Sequence, residues 1–260
     1  MGYDSLWTGE HIFFYGPTFA ALTTLAALAA RTSRITLGTG VLLLPLRPPA
    51  VTAKEAASVD IISGGRVILG IGVGGEYPKE FQACGVPINE RGARTDEAIR
   101  LLRKLWSEDR VTFKGRFYNV EDVTLEPKPV QPGGPPIWVA GRSQAAMRRA
   151  GRHGDGYLPY LFSPERYQEG LNKMQEFARQ AGRDPATIEP ALYQFICLAD
   201  SYEEARRLAL ADLETRYAQS FERIIDRYVV LGTATDCTRR LEEFAKAGAR
   251  HFILVPITPP

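Results

Sequence analysis

Apolar and polar positions follow two rhythms along the chain. Short runs rich in Val, Ile, Leu and aromatic residues have strand character. Between them lie longer stretches whose apolar residues recur three and four apart, the spacing of a helix with one buried face. The strand-like runs are DSLWT (4–8), RITLGTGVL (34–42), RVILGIG (66–72), IWVA (137–140), GYLPY (156–160), ALYQFICLA (191–199) and HFILVP (251–256). Helices are predicted over 17–31, 49–62, 90–106, 144–152, 164–180, 202–215 and 235–247. Pro17, Pro49 and Pro164 suit a first helical turn, where the fixed φ is already helical and no N–H is missed. Ser201 and Thr235 read as N-caps, and Gly182 and Gly248 as the glycines that close two helices.

The rhythm is strand–helix throughout. Near-continuous apolar runs such as RVILGIG and FILV imply a parallel sheet covered on both faces. An open doubly wound sheet and a TIM-like barrel both fit that pattern. The barrel is favoured by a strand-to-strand spacing of roughly 30 residues and by glycine and polar residues gathered at strand C-terminal ends. The predicted strands are one short of the eight that close such a barrel. Between 108 and 136 the rhythm breaks into VTFKGRFYNV, a hairpin signal around Lys114-Gly115, and the proline-rich PKPVQPGGPP. Because strand and helix patterns resume directly afterwards, this stretch reads as an insertion in one domain covering 1–260.

Gly70, Gly72 and Gly75 in RVILGIGVGGEYPKEF spell the letters of a dinucleotide-binding loop. That loop must open a helix inside the motif and be followed, about 20 residues on, by an acidic residue ending a strand. Here Tyr77-Pro78 favours a loop at 76–78, since the residue before proline avoids the helical region, and 91–106 reads as helix. The glycines are better read as ending a strand and letting the chain turn away closely, or as a ligand-facing loop.

Composition narrows the function classes. The 260 residues are 45% hydrophobic and 24% charged, with a formal net charge of +2. Dispersed charge of that size argues against a nucleic-acid binder. Cys84, Cys197 and Cys237 are too scattered for a zinc signature and suggest a reducing compartment rather than disulfides. The longest apolar stretch, FAALTTLAALAA, falls short of a membrane span and is interrupted by threonine. The opening residues carry no basic, cleavable leader, so a cytoplasmic location is expected. Metalloprotease, nucleophile-elbow and Walker motifs are absent, and no metal is expected. His11, in TGEHIFF, sits just past the first strand; a lone histidine there is either a satisfied polar residue or an acid–base group, because imidazole ordinarily titrates near neutrality.

Taken in order, DSLWTGEH, RITLGTGVLLLPLRPP, DIISGGRVILGIGVGG, ERGARTDEAIRLLRKLW, LEPKPVQPGGPPIWVAGRS and RRAGRHGDGYLP resemble the bacterial luciferase-like monooxygenase superfamily. Within it the chain is most similar to the coenzyme F420 (deazaflavin) dependent oxidoreductases. The resemblance implies a (β/α)8 barrel that binds the cofactor ring at the strand C-terminal ends. It puts Gly74 and Gly75 in the loop facing that ring and the cofactor phosphate at Ala140, Gly141, Arg142 and Ser143. By the same resemblance His11 lies near the reactive ring carbon as acid or base. Glu10, counted with the cofactor-binding residues, stands where aspartate is common and either orients His11 or supports a helix end. Gly40 and Val41 match a non-prolyl cis peptide that bulges behind the ring.

The implied reaction is hydride transfer between F420 and a small organic substrate. FMN with oxygen activation, as in a luciferase-like monooxygenase, is one alternative, and a non-catalytic flavin-binding protein is another. Members of the family usually carry one more strand and helix before GYDSLW and a helix after the strand matching HFILVP. The first strand-helix unit and the last helix are therefore expected to be lacking: either the sequence is an incomplete reading frame, or the barrel is open at that seam and a partner chain covers the gap, giving a homo-oligomer, a dimer in the first instance.

Overall fold

The strand–helix rhythm is realised in a computed structural model that describes residues 2–257. Met1 and residues 258–260, at the two ends of the expected 1–260 domain, lie outside the described residues. The described residues divide into two compact units.

The first unit comprises residues 2–14, Thr18–Ala140 and His153–Asp155. In chain order it holds β1 (Ser5–Thr8), α1 (Ala21–Arg31), β2 (Thr36–Thr39), β3 (Leu42–Leu43), α2 (Pro49–Ser63), β4 (Val67–Gly72), α3 (Pro78–Ala83), α4 (Arg91–Ser107), β5 (Val111–Lys114), β6 (Asn119–Val123) and β7 (Ile137–Ala140). β1, β2, β4 and β7 form a parallel ladder in that order, with Trp7 opposite Gly38, Gly38 opposite Ile68, and Ile71 opposite Val139. β3 adds to β4 with Leu42 opposite Ile71. Leu37, Leu69, Ile71 and Ile137 are fully buried. Each such side chain contributes about 2 kcal/mol by leaving water. α1 packs on α2 and α2 on α4. The expected hairpin at 108–136 is present as the antiparallel pair β5–β6. It is anchored by the buried Glu97 of α4, whose carboxylate accepts from the amides of Arg116, Phe117 and Tyr118 at 2.8 to 2.9 Å.

The second unit comprises Tyr15–Pro17, Gly141–Arg152 and residues 156–257. It holds α5 (Gln144–His153), β8 (Gly156–Leu158), α6 (Pro164–Gln180), β9 (Glu189–Leu198), α7 (Tyr202–Tyr217), α8 (Ile225–Tyr228), β10 (Val230–Gly232), α9 (Ala234–Lys246) and β11 (His251–Pro256). β9 is parallel to β8, β10 and β11. Phe195, Cys197, Ala209, Leu213 and Phe221 share one cluster of buried residues.

Several boundaries differ from the sequence expectations. The strand expected over 34–42 breaks into β2 and β3 at Gly40–Val41. α1 starts at Ala21 rather than at Pro17, because Glu10 accepts from the Ala21 amide at 3.0 Å and fixes the helix start there. Pro78 opens α3 directly, with only Tyr77 extended before it. The cap of α9 is Thr233, not Thr235: Thr233 accepts from the Asp236 amide while the Asp236 carboxylate accepts from the Thr233 amide, a reciprocal box. β10 and α8 went unpredicted because VLG is three residues of strand and IDRY one turn of helix, both too short to show a period.

Candidate active site

β1 and β2 end side by side, and the segment leaving β1 carries Gly9, Glu10 and His11. Gly9 has no room for a side chain: a Cβ would stand 2.8 Å from the Gly40 carbonyl oxygen. The Gly40–Val41 peptide is cis, as the resemblance implies. It is held from both sides, the Gly40 amide donating to Thr8 O at 2.8 Å and the Glu10 amide to Val41 O at 3.3 Å.

His11 is part-exposed. Its Nδ1 lies 3.0 Å from Glu80 Oε1, and the Glu80 side chain is fully buried. The other Glu80 oxygen accepts from the amides of Ile12 at 2.8 Å and Phe13 at 3.4 Å. One carboxylate therefore holds both the imidazole and the main chain that follows it. The imidazole stacks on Phe14 with centroids 3.9 Å apart and planes 14° from parallel, and Tyr77 meets Phe14 edge-on at 6.4 Å. Thr18 closes the loop by donating its hydroxyl to His11 O at 3.1 Å.

Glu10 does not orient His11. Its oxygens accept from Arg47 Nε and Nη2 at 3.0 and 3.1 Å and from the Ala21 amide at 3.0 Å, so of the two roles left open the helix end is the one observed. Burial pulls the Arg47 guanidinium down, but the hydrogen bonds and charge of Glu10, followed by the charge of Glu55, hold it above its ordinary value. The pair is a charged brace between the start of α1 and the segment before α2.

The glycines of RVILGIGVGG have separate tasks. A Cβ at Gly70 would stand 2.0 Å from Thr39 O, and one at Gly72 would stand 2.7 Å from Val41 Cγ2. Gly70 lets β2 approach β4, and Gly72 makes room for the Val41 side chain. Gly74 and Gly75, at φ +63° and +124°, turn the chain out of β4, and Gly75 lies against the Arg91 guanidinium. In positive φ a side chain is strained, which accounts for both residues.

In the second unit, Gly141 follows the half-buried Ala140 at φ +129° and donates its amide to Leu158 O at 3.3 Å. That amide is engaged within the fold. Ser143 caps α5 by accepting from the Ala146 amide at 3.2 Å, and the exposed Arg142 guanidinium lies 5.1 Å above the Tyr160 ring. Among the described residues no group of three or more His, Cys, Asp or Glu side chains is placed to hold a metal, and no helix is long and apolar enough to cross a membrane.

Glu80, Arg47 and Phe14 were not singled out from the sequence. Glu80 is 69 positions from the histidine it touches, and Pro-Lys-Glu-Phe carries no signal that its glutamate is buried. Phe14, three residues from His11, follows a visible aromatic cluster and could have been found.

The family model described as luciferase-like monooxygenase matches residues 1–251. An F420-dependent glucose-6-phosphate dehydrogenase of Kineococcus radiotolerans is 33% identical over 97% of this chain and 82% of its own length. The crystal structure of monooxygenase RslO1 from Streptomyces bottropensis is 28% identical, with a TM-score of 0.83 over 99% of this chain and 83% of that one. An F420-dependent secondary alcohol dehydrogenase, solved with an F420–acetone adduct, is 24% identical, with a TM-score of 0.90 over the whole of this chain and 86% of that one. The fold class is that of these neighbours, α/β of the TIM-like luciferase type.

Proposed function

The chain belongs to the luciferase-like monooxygenase family, and from that membership we propose an F420-dependent oxidoreductase that moves a hydride between the cofactor and a small organic substrate, with His11 as the acid–base group. The observation that carries the reading is the junction of His11, on the segment leaving β1, with the buried Glu80 carboxylate, Nδ1 lying 3.0 Å from Oε1. This junction stands at the C-terminal ends of parallel strands, the end where βα folds place their chemistry.

The first unit fits a flat ring system. At its strand ends Gly9, Gly40, Gly74 and Gly75 present main chain rather than side chain, and the Val41 side chain lies over Gly72. A bound deazaflavin supplies a carbon centre that accepts or releases two electrons as hydride. Gly40, Val41, Gly74 and Gly75 would meet its ring. Ala140, Gly141, Arg142 and Ser143 would meet its phosphate, through the Arg142 guanidinium and the Ser143 hydroxyl, since the Gly141 amide donates to Leu158. Glu10 braces the site without touching the cofactor. His11 takes the proton from a substrate hydroxyl as the adjoining carbon is oxidised, and returns it in the reverse direction. The substrate is a small molecule, and the working assembly is a homodimer, to be checked by sedimentation.

Titration of the purified protein with F420 and, separately, with FMN tests the reading, followed by a screen of alcohols and aldehydes for F420 reduction. Selective F420 binding is expected, with His11→Ala lowering kcat about 10²- to 10⁴-fold and leaving cofactor affinity unchanged. Preferential FMN binding would move the chain to the oxygen-activating reading that the likeness to RslO1 favours. Retention of cofactor without turnover in any variant would make it a binding protein.

A further inference from the structure

Glu80 is a carboxylate with no exposure to water, and all its described partners belong to the segment that carries His11. A buried carboxylate is costly unless it is fully hydrogen-bonded, so the two halves of the group have separable tasks. Oε2 accepts from two amides of the main chain, whose donor character cannot change. Oε1 faces Nδ1 of the imidazole, whose proton can sit on either nitrogen. The stack on Phe14 fixes the plane of the ring.

We propose that Glu80 is the positioning residue of the site: its carboxylate holds the proton of neutral His11 on Nδ1 and so leaves the Nε2 lone pair, at the opposite edge of the ring, for the substrate hydroxyl. The inference rests on His11 being the acid–base group. As the substrate O–H bond breaks, the proton would form a new bond to Nε2 and the O–H electron pair would become the second C–O bond, while the adjoining C–H pair would leave as the hydride that an oxidised deazaflavin accepts. The imidazolium that results lies against the Glu80 negative charge. Cys84 is a further titratable group near this carboxylate, and Arg47 lies near Cys84. Arg47 is already paired with Glu10 and Glu55. Burial, and then the Glu80 charge, push the Cys84 thiol above its ordinary value against the opposing charge of Arg47.

The geometry makes Glu80→Gln an inverting substitution rather than a mild one. The amides of Ile12 and Phe13 require an acceptor, so the Gln carbonyl must face them. Its NH₂ group then points at Nδ1, which must give up its proton and become the acceptor. The neutral ring is forced into the Nε2–H form, with no lone pair for the substrate.

The test is a long-range ¹H–¹⁵N correlation spectrum of the cofactor-free protein, which separates the two neutral imidazole forms. Only three histidines are present, and His11→Gln identifies the relevant signals. The wild type is expected to show Nδ1–H at His11 and Glu80→Gln to show Nε2–H. In that variant kcat is expected to fall by about 10²-fold or more, with KM and F420 affinity little changed. Wild-type protein in the Nε2–H form overturns the proposal whether or not the variant folds. So does a folded Glu80→Gln that keeps both the wild-type form and wild-type turnover. An Nδ1–H wild type that turns over no alcohol or carbonyl compound with F420 leaves the hold of Glu80 on the ring intact and overturns the assigned reaction instead.

Discussion

The Glu10–Arg47 brace is predicted to maintain the frame of the site and not to bind the cofactor, and a double-mutant cycle separates the two. The side chains are 2% and 17% exposed respectively, and the carboxylate has three donors, two from Arg47 and one from Ala21. Arg47→Met keeps much of the apolar stem but leaves a buried carboxylate with one donor. Stranding a buried charge costs about 3–5 kcal/mol, and the low end applies because the guanidinium is not fully enclosed. Glu55, the other partner of Arg47, is 43% exposed and returns to water at little cost. The expected loss is about 3 kcal/mol for Arg47→Met, about 2 for Glu10→Gln, and about 3 for both together, because the double variant strands no charge. The coupling of about 2 kcal/mol is large for a cycle whose additive limit is about 0.5. With a urea slope of about 3 kcal/mol/M, Arg47→Met should lower the unfolding midpoint by about 1 M, read by circular dichroism. The same preparations of Glu10→Gln, below their transition, should bind F420 with wild-type affinity. An additive cycle, or a Glu10→Gln variant of undiminished stability that loses cofactor, would refute the reasoning.

Three further outcomes are expected. A Cβ at Gly38 would stand 2.2 Å from Trp7 Cε3, and the Trp138 ring lies 5.1 Å from that of Trp7, so Gly38→Ala must displace a packed ring. It should cost about 2–3 kcal/mol and change the near-ultraviolet dichroism; unchanged stability would mean the ladder yields more readily than close packing allows. Burial alone would raise the Glu97 carboxyl, but the amides of Phe117, Tyr118 and Arg116 with the charge of Arg100 outweigh it and hold it below the ordinary glutamate value. A folded value below the unfolded one means the contribution is complete above the unfolded value and is lost as pH falls through the folded one. The stability difference between wild type and Glu97→Gln should therefore shrink on acidification, and a difference independent of pH would count against the anchor. Thr233→Ala should cost about 1 kcal/mol through loss of the α9 cap without altering turnover, whereas Thr235→Ala should stay within about 0.5 kcal/mol.

Elements whose residues interact with neighbours close in sequence were legible in the chain. RVILGIG and IWVA are buried strands because nothing polar interrupts them, and Pro49 and Pro164 open helices because their φ is already helical. Thr233 was legible in principle, since Asp236 stands at the third position of the reciprocal box, but the nearer Thr235 drew the assignment away. His11 and Gly40–Val41 were reached through resemblance rather than periodicity, and the structure then showed the cis bond directly.

What the sequence by itself determined is the parallel strand–helix order, because a period of 2 or 3.6 and the fixed torsions of proline act over a few residues. Tertiary structure alone decided which carboxylate serves which partner. Glu10, beside His11 in the chain, turns to Arg47 and the start of α1, while Glu80, 69 residues away, takes the imidazole. Adjacent residues diverge as the chain leaves β1, and distant ones meet where strands end together. A buried carboxylate is satisfied by whatever donors the fold brings within about 3 Å, and sequence distance has no part in that selection.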